Sequence, residues 1–337
     1  MSVCLGGFPG TDRGLRELAA ATGVTRHVTI ADAGPTGPAL RFVESLTTAP
    51  GTQLLVVGGW ADAYDPLVDA AAARGIRVAV YWTSTGGQSE MGRERDQLET
   101  VLADRRLYAR WFVHAPLAAS LERACRGVGV MPNLLPPGPA PRARLPRRRG
   151  TPLRVGLFCS PHEYHRKNVL NSLLAVAQLG DRAQLHVNGA SKPGGYVAWL
   201  ERLGIGYVEH GWMDDATYGE VVRGLDVALQ ASFAESFNYV AAEHLLCGVP
   251  VVGSPMVPVI AMLPARLRRA LTVDNPDDPL AIAARIRALA GSRGRRLAAD
   301  AAAFLRRQRR GQIADATRLI RSTLAGAHAR GSSKGTR

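Results

Sequence analysis

The sequence predicts two α/β domains, each a parallel sheet covered by helices, joined by a short linker. Three observations carry this. Short apolar runs alternate with helical stretches from one end of the chain to the other, as in parallel sheets buried on both faces. One stretch rich in proline and arginine, LLPPGPAPRARLPRRRG (Leu134 to Gly150), interrupts that alternation. The chain has 337 residues, more than one small domain ordinarily holds.

In the first half, SVCLGG reads as a strand, followed by the turn FPGTD and a helix from about Arg13 to Ala21 that Thr11 or Asp12 caps. HVTIAD, QLLVVGG, RVAVYW and RWFVHA are the next strands. Asp65-Pro66 supplies a cap and a proline at the first helical position, and Gly75 stops that helix. In the second half LRVGLF, AQLHVNG, YVEHG, DVALQA, GVPVVGS and ALTVDN read as strands. Asp278-Pro279 through Gly291 repeats the cap, proline and stop. The expected boundaries are a first domain at residues 1–135, a linker at 136–150 and a second domain at 151–305. A helical segment at 306–326 and a frayed tail at 327–337 follow. Ligands of open parallel sheets lie beyond the carboxyl ends of the strands, so the site is expected in a cleft between the domains.

Composition narrows the function classes. A hydrophobic content of 46% with 21% charged residues excludes a disordered chain. Net charge is +14, carried almost wholly by arginine, so an anionic partner is expected and a solvated basic surface is the plain alternative. Cys4, Cys125, Cys159 and Cys247 are far apart, without metal-ligand or disulfide spacing, which predicts reduced thiols in a cytoplasmic protein. MSVCLGG lacks the basic start and apolar core of a signal peptide, and no run reaches the roughly 20 apolar residues of a membrane span.

The chemistry concentrates in AESFNYVAAEHLLCGVPVV, Ala234 to Val252. It reads as a turn, a helix from Asn238 to Cys247 stopped by Gly248, and the start of a strand. Glu235 lies in the strand-to-helix loop, and Glu243 lies inside an apolar helix, where a carboxylate requires polar or cationic partners. The amides of Ser236, Phe237 and Asn238 open the helix, where an anion is favoured.

This double-glutamate block resembles the donor-site motif of retaining GT-B glycosyltransferases of family 4. The resemblance extends to MPNLLPP (Met131 to Pro137), to LRVGLFCSPHEYHRKN (Leu153 to Asn168), and to VNGAS and EHGWMDDATYGEVVRGLDVALQAS. The first domain matches by pattern alone. The resemblance implies the GT-B fold, two Rossmann-like domains facing a cleft. It also implies transfer of a sugar from a nucleotide diphosphate sugar to a hydroxyl acceptor with retention, without a metal or other cofactor. Glu235 would hold the transferred sugar, Glu243 the ribose, and Lys167 the diphosphate; Gly211 joins Ser236, Phe237 and Asn238 on the donor side. On the acceptor side the matching strand ends supply Gly6, Gly7, Trp82 and Thr83.

Three positions depart from that family. An arginine usually stands six positions before the lysine; Pro161 stands there, and His162, His165 or Arg166 is the candidate to take its place, which spacing alone does not decide. Trp82, Thr83 and Ser84 replace a histidine that often follows the first-domain strand, and Asn238 replaces a common glycine. Two other readings compete. One is a GT-B-fold protein that binds a nucleotide sugar without transferring it. The other is a nicotinamide-dependent oxidoreductase, drawn from Gly6, Gly7 and Gly10 after the first strand and Asp32 at the end of the second. The arginine-rich segments predict peripheral contact with an anionic membrane, and no aromatic interleaving points to nucleic acid.

Overall fold

Among the described residues, eleven strands alternate with helices in two separate sheets, and every strand pair is parallel. The computed structural model describes residues 2–6, 17–21, 25–29, 54–59, 64–85, 93–138, 150–159, 164–193, 195–211 and 213–325. Two compact units divide the chain, residues 1–134 with 309–337, and residues 135–308.

The first unit holds β1 (Ser2–Gly6), β2 (Thr25–Thr29), β3 (Leu54–Gly58), α1 (Asp65–Ala73), β4 (Arg77–Trp82), α2 (Arg93–Ala103), β5 (Leu107–Phe112), α3 (Ala115–Leu121) and β6 (Val128–Val130). Its sheet runs β2-β1-β3-β4-β5-β6. Leu54 to Val57 of β3 are all inaccessible, as expected of a strand covered on both faces. Asp65 is the first helical residue of α1 with Tyr64 as its cap, one position from expectation, and Gly75 takes φ +70° just after the helix. Within the Met131 to Pro137 segment, Asn133 is buried and accepts a 2.5 Å hydrogen bond from the Tyr81 hydroxyl.

The second unit holds β7 (Leu153–Leu157), α4 (Val169–Ala177), β8 (Ala183–Asn188), α5 (Val197–Arg202), β9 (Tyr207–His210), α6 (Asp215–Gly224), β10 (Val227–Gln230), α7 (Tyr239–Leu246), β11 (Val251–Gly253), α8 (Pro258–Ala261), α9 (Ala265–Leu271) and α10 (Pro279–Leu289). Its sheet runs β11-β10-β7-β8-β9, so the chain builds outward from β7 in one direction and then returns to build on β7's other side. The crevice between β7 and β10 is therefore the topological switch point of this sheet, where ligands of open α/β folds bind. Asp278 caps α10 through the amides of Leu280 and Ala281, and Asp214 caps α6 through that of Thr217.

Three elements differ from the sequence reading. ALTVDN is not a strand: α9 runs through Leu271, and only one bridge, Gly253 to Thr272, joins the segment to the sheet. Val128–Val130 is a short sixth strand that the reading omits. The helical segment expected from residue 306 is the later part of one 33-residue helix, α11 (Ser292–Leu324). Ala298, Ala301 and Leu305 of that helix pack in the second unit's core, whereas Ala316 and Ile320 pack with Leu54, Val56 and Trp111 of the first. Linker residues 139–149 and the tail from 326 lie outside the described residues, as do Gly7, Gly10, Asp32, Pro161 and His162.

Candidate functional site

The loops after β7 and β10 are sewn together at the switch point. Asn168 adopts left-handed backbone geometry (φ 55°, ψ 43°) just before α4, a conformation that asparagine tolerates better than other side-chain-bearing residues. From there its amide Nδ2 donates to the carbonyls of Ala231 (3.0 Å) and Pro276 (2.6 Å). The Phe233 amide donates to the Arg166 carbonyl at 2.9 Å, so the residues flanking Lys167 are both tied to the β10 loop.

That stitching sets two cations on one buried carboxylate. Glu235, 5% exposed, accepts from Lys167 Nζ at 2.6 Å on Oε1 and from Arg166 Nη1 at 2.9 Å on Oε2. Oε1 also accepts from Ser232 Oγ at 2.7 Å and from Asn238 Nδ2 at 3.0 Å. Burial pushes the Glu235 carboxyl up, but Lys167 and Arg166, with the hydrogen bonds from Lys167 and Ser232, outweigh it and hold the group below its ordinary value. Glu235 is therefore ionised at neutral pH, and the cluster carries one surplus positive charge. Removing one partner from such a buried pair typically costs about 3–5 kcal/mol, because the charge left behind stays buried.

Asn238 links this cluster to α7. Its backbone is left-handed (φ 71°, ψ 76°), which explains why the position otherwise suits glycine. Its Oδ1 caps the helix by accepting from the Ala241 amide at 2.8 Å, while Nδ2 donates to Glu235 and to Gln230 Oε1, each at 3.0 Å. The positive end of α7 therefore begins at the residue that shares the Glu235 oxygen with Lys167. Ser236 and Phe237 form the turn between them.

Glu243 is 7% exposed in the second turn of α7, among the buried residues Ala241, Ala242, Leu245 and Leu246. Its charge reaches the Cys247 thiol, which burial pushes up to about 11, with Arg223 and Arg306 acting against that shift and Glu243 adding to it. On the same helix His244 is wholly buried; its Nδ1 donates to the Val240 carbonyl at 2.6 Å. Gly156 on β7 leaves room for Leu225, whose Cδ1 would lie 2.4 Å from a Cβ there, while His244 Nε2 would be in ordinary contact at 3.5 Å.

The remaining sequence-predicted residues are dispersed. Gly211 follows β9, two strands from β7 and apart from the Glu235 cluster, with open space where a side chain would project. Trp82 ends β4 but is 2% exposed and packs with Leu55, Val57 and Tyr64. Thr83, next along, is half-buried, as are Ser84 and Thr85 after it. Gly6 closes β1, whose neighbours β2 and β3 lie on opposite sides, so it stands at the first sheet's own switch point. Among the described residues, no three His, Cys, Asp or Glu side chains gather in a set that would hold a metal ion. No described helix is long and apolar enough to cross a membrane.

Sequence reasoning did not assign Ser232, Gln230 or Asn168 to the site, and named Arg166 only as one of three candidates, with His162 and His165, to stand in for the arginine missing at Pro161. Ser232 stands three residues before Glu235, a spacing that lets a hydroxyl reach the carboxylate across one turn, and this was the legible signal.

The family described as "Glycosyl transferases group 1" matches residues 154–292, which span β7 to the start of α11. No curated protein matches the chain by sequence. Among solved structures, HepE of Anabaena in complex with UDP-glucose superposes with a TM-score of 0.71 at 15% identity, covering 97% of this chain and 100% of that one. Sucrose-phosphate synthase of Thermosynechococcus elongatus gives 0.70 at 16% identity, covering 97% and 100%. An alpha,alpha-trehalose-phosphate synthase of Burkholderia xenovorans gives 0.60 at 13% identity, covering 85% and 76%. The chain has the GT-B fold, and its residues 154–292 form a domain similar to the glycosyl transferases of group 1.

Proposed function

We propose that this protein is a glycosyltransferase that moves a sugar from a nucleotide diphosphate sugar to a hydroxyl acceptor, with retention at the anomeric carbon. The observation that carries the reading is the pair Lys167 and Arg166 on buried Glu235, at the switch point and at the start of α7. The surplus positive charge of that cluster and the helix field both suit a diphosphate. One of the three N–H donors of Lys167 goes to Glu235, which leaves two for phosphate oxygens. Arg166 supplies the second cation that Pro161 does not.

The roles follow from lone pairs. Oε1 of Glu235 already accepts three hydrogen bonds, so a sugar hydroxyl is held by Oε2, which accepts from Arg166. Glu243 takes the ribose hydroxyls. As the bond from the anomeric carbon to the donor phosphate breaks, Lys167 and Arg166 neutralise the departing diphosphate. That phosphate takes the proton of the acceptor hydroxyl arriving on the same face, so the cations take the place a metal would otherwise fill.

A donor panel tests the reading. UDP-glucose comes first, because the HepE structure holds it, followed by other UDP-, GDP- and ADP-sugars. Mass spectrometry should detect slow hydrolysis or transfer from one of them. Binding without any turnover would make the protein a nucleotide-sugar-binding protein, and no binding at all would overturn the reading.

A further inference from the structure

The second unit carries an arginine-lined cavity that the donor site does not use. It measures about 710 Å³ and is walled by Arg266 and Arg269 of α9, Arg285 of α10, and Arg293 and Arg296 of α11. The spacing is not incidental. On α9 and on α11 the arginines stand three residues apart, which places each pair on one helix face.

Two of the five are accounted for within the protein. Arg266 pairs with Asp300 at 2.6 Å, and Asp300 is the carboxylate lining the cavity. Arg285 donates to the Ala270 carbonyl at 3.0 Å and so satisfies the carboxyl-terminal end of α9. Arg269, Arg293 and Arg296 are exposed and have no hydrogen-bond or ion-pair partner among the described residues. A solvated arginine face accounts for scattered positive charge, but not for three helices turning guanidinium groups into one concavity of ligand size. Like charges gathered in this way repel one another until an anion enters, and the guanidinium fork matches phosphate oxygens in pairs.

We propose that this cavity binds a phosphate-bearing anion, either a soluble phosphorylated molecule or the headgroup of an anionic phospholipid. The site is separate from Lys167, Arg166 and Glu235, so it does not depend on the donor reading.

The test uses the full chain and the double variant Arg269→Glu/Arg293→Glu, which changes two exposed arginines that make no hydrogen bond or ion pair among the described residues. Pyrophosphate is titrated by calorimetry, with and without each variant in a Lys167→Ala background, so that diphosphate taken up beside Lys167 is not read as binding in the cavity. Vesicles of phosphatidylglycerol with phosphatidylcholine are compared with phosphatidylcholine alone by co-sedimentation. Arg318→Glu/Arg321→Glu, on exposed residues far along α11, controls for bulk charge. The expected result is at least tenfold weaker binding of one probe by the cavity variant, against less than twofold for the control. Loss of pyrophosphate binding identifies a soluble ligand, and loss of vesicle binding alone identifies a headgroup. If the cavity variant binds both probes as the wild type does, or if the control weakens binding equally, the proposal fails. Should the charge reversal unfold the protein, Arg269→Gln/Arg293→Gln is the variant to use, read against the same outcomes.

Discussion

At the scale of single residues, Asn238 performs three tasks that no other residue type combines. It accepts left-handed backbone geometry, caps α7 and holds Glu235 in place. Glycine would keep the backbone and lose the hydrogen bonds; alanine would lose both, with left-handed strain of roughly 1–2 kcal/mol for a residue with a Cβ. Asn238→Gly should therefore stay about 1 kcal/mol more stable than Asn238→Ala in urea denaturation. Equal stability of the two variants would mean that the left-handed geometry imposes no strain. His244 supplies the pH dependence. Burial holds it down at about 4, only partly offset by its hydrogen bond to Val240, whereas the unfolded chain titrates near the ordinary value of 6.5. Below 6.5 the unfolded chain binds the proton that the folded one refuses. Stability is thus full above that pH and declines as pH falls towards 4, by about 3 kcal/mol in total. His244→Leu should flatten the stability profile between pH 7 and 4 by that amount relative to wild type; parallel profiles would remove His244 as the cause.

At the scale of elements, what the sequence revealed follows the physics of each element. The parallel strands were legible because strands covered on both faces are apolar runs, as Leu54 to Val57 and Val227 to Leu229 are. Helices framed by Asp-Pro and by Gly were legible because caps and stops are local chemistry. β6 escaped notice because three residues, Val-Gly-Val, are too short for any period and are at best partly buried. The reading begins its last helix at about residue 306, whereas α11 begins at Ser292; burial of Ala298, Ala301, Leu305, Ala316 and Ile320 holds it as one helix despite Gly294 and Gly311. These two glycines differ in kind. A Cβ on Gly294 would meet the Leu289 carbonyl oxygen at 1.9 Å, whereas one on Gly311 would meet nothing within 4 Å. Gly311→Ala should therefore stabilise the protein by roughly 0.5–1 kcal/mol and Gly294→Ala should destabilise it, read as opposite shifts in the melting temperature. Shifts of the same sign would show that α11 does not have this packing.

At the scale of the whole molecule, a candidate donor side was legible and the acceptor side was not. Glu235, Glu243 and Lys167 lie in one contiguous domain, 154–292, whose loops meet at a single switch point, so local motifs sufficed to propose them together. Spacing did not single out Arg166 from His162 and His165 as the second cation, because Arg166 reaches Glu235 through a fold-level juxtaposition of the β7 and β10 loops, 69 positions apart in sequence. Trp82 shows the opposite failure: its place at a strand end suggested access, but its indole fills the core. The central claim is that Lys167 and Arg166 hold the donor diphosphate, and calorimetric titration of UDP, GDP and ADP tests it most directly. The nucleotide that wild type binds best should bind at least tenfold more weakly to Lys167→Ala and to Arg166→Ala, a loss of about 1.4 kcal/mol or more. Wild-type affinity in folded samples of both variants would contradict the assignment.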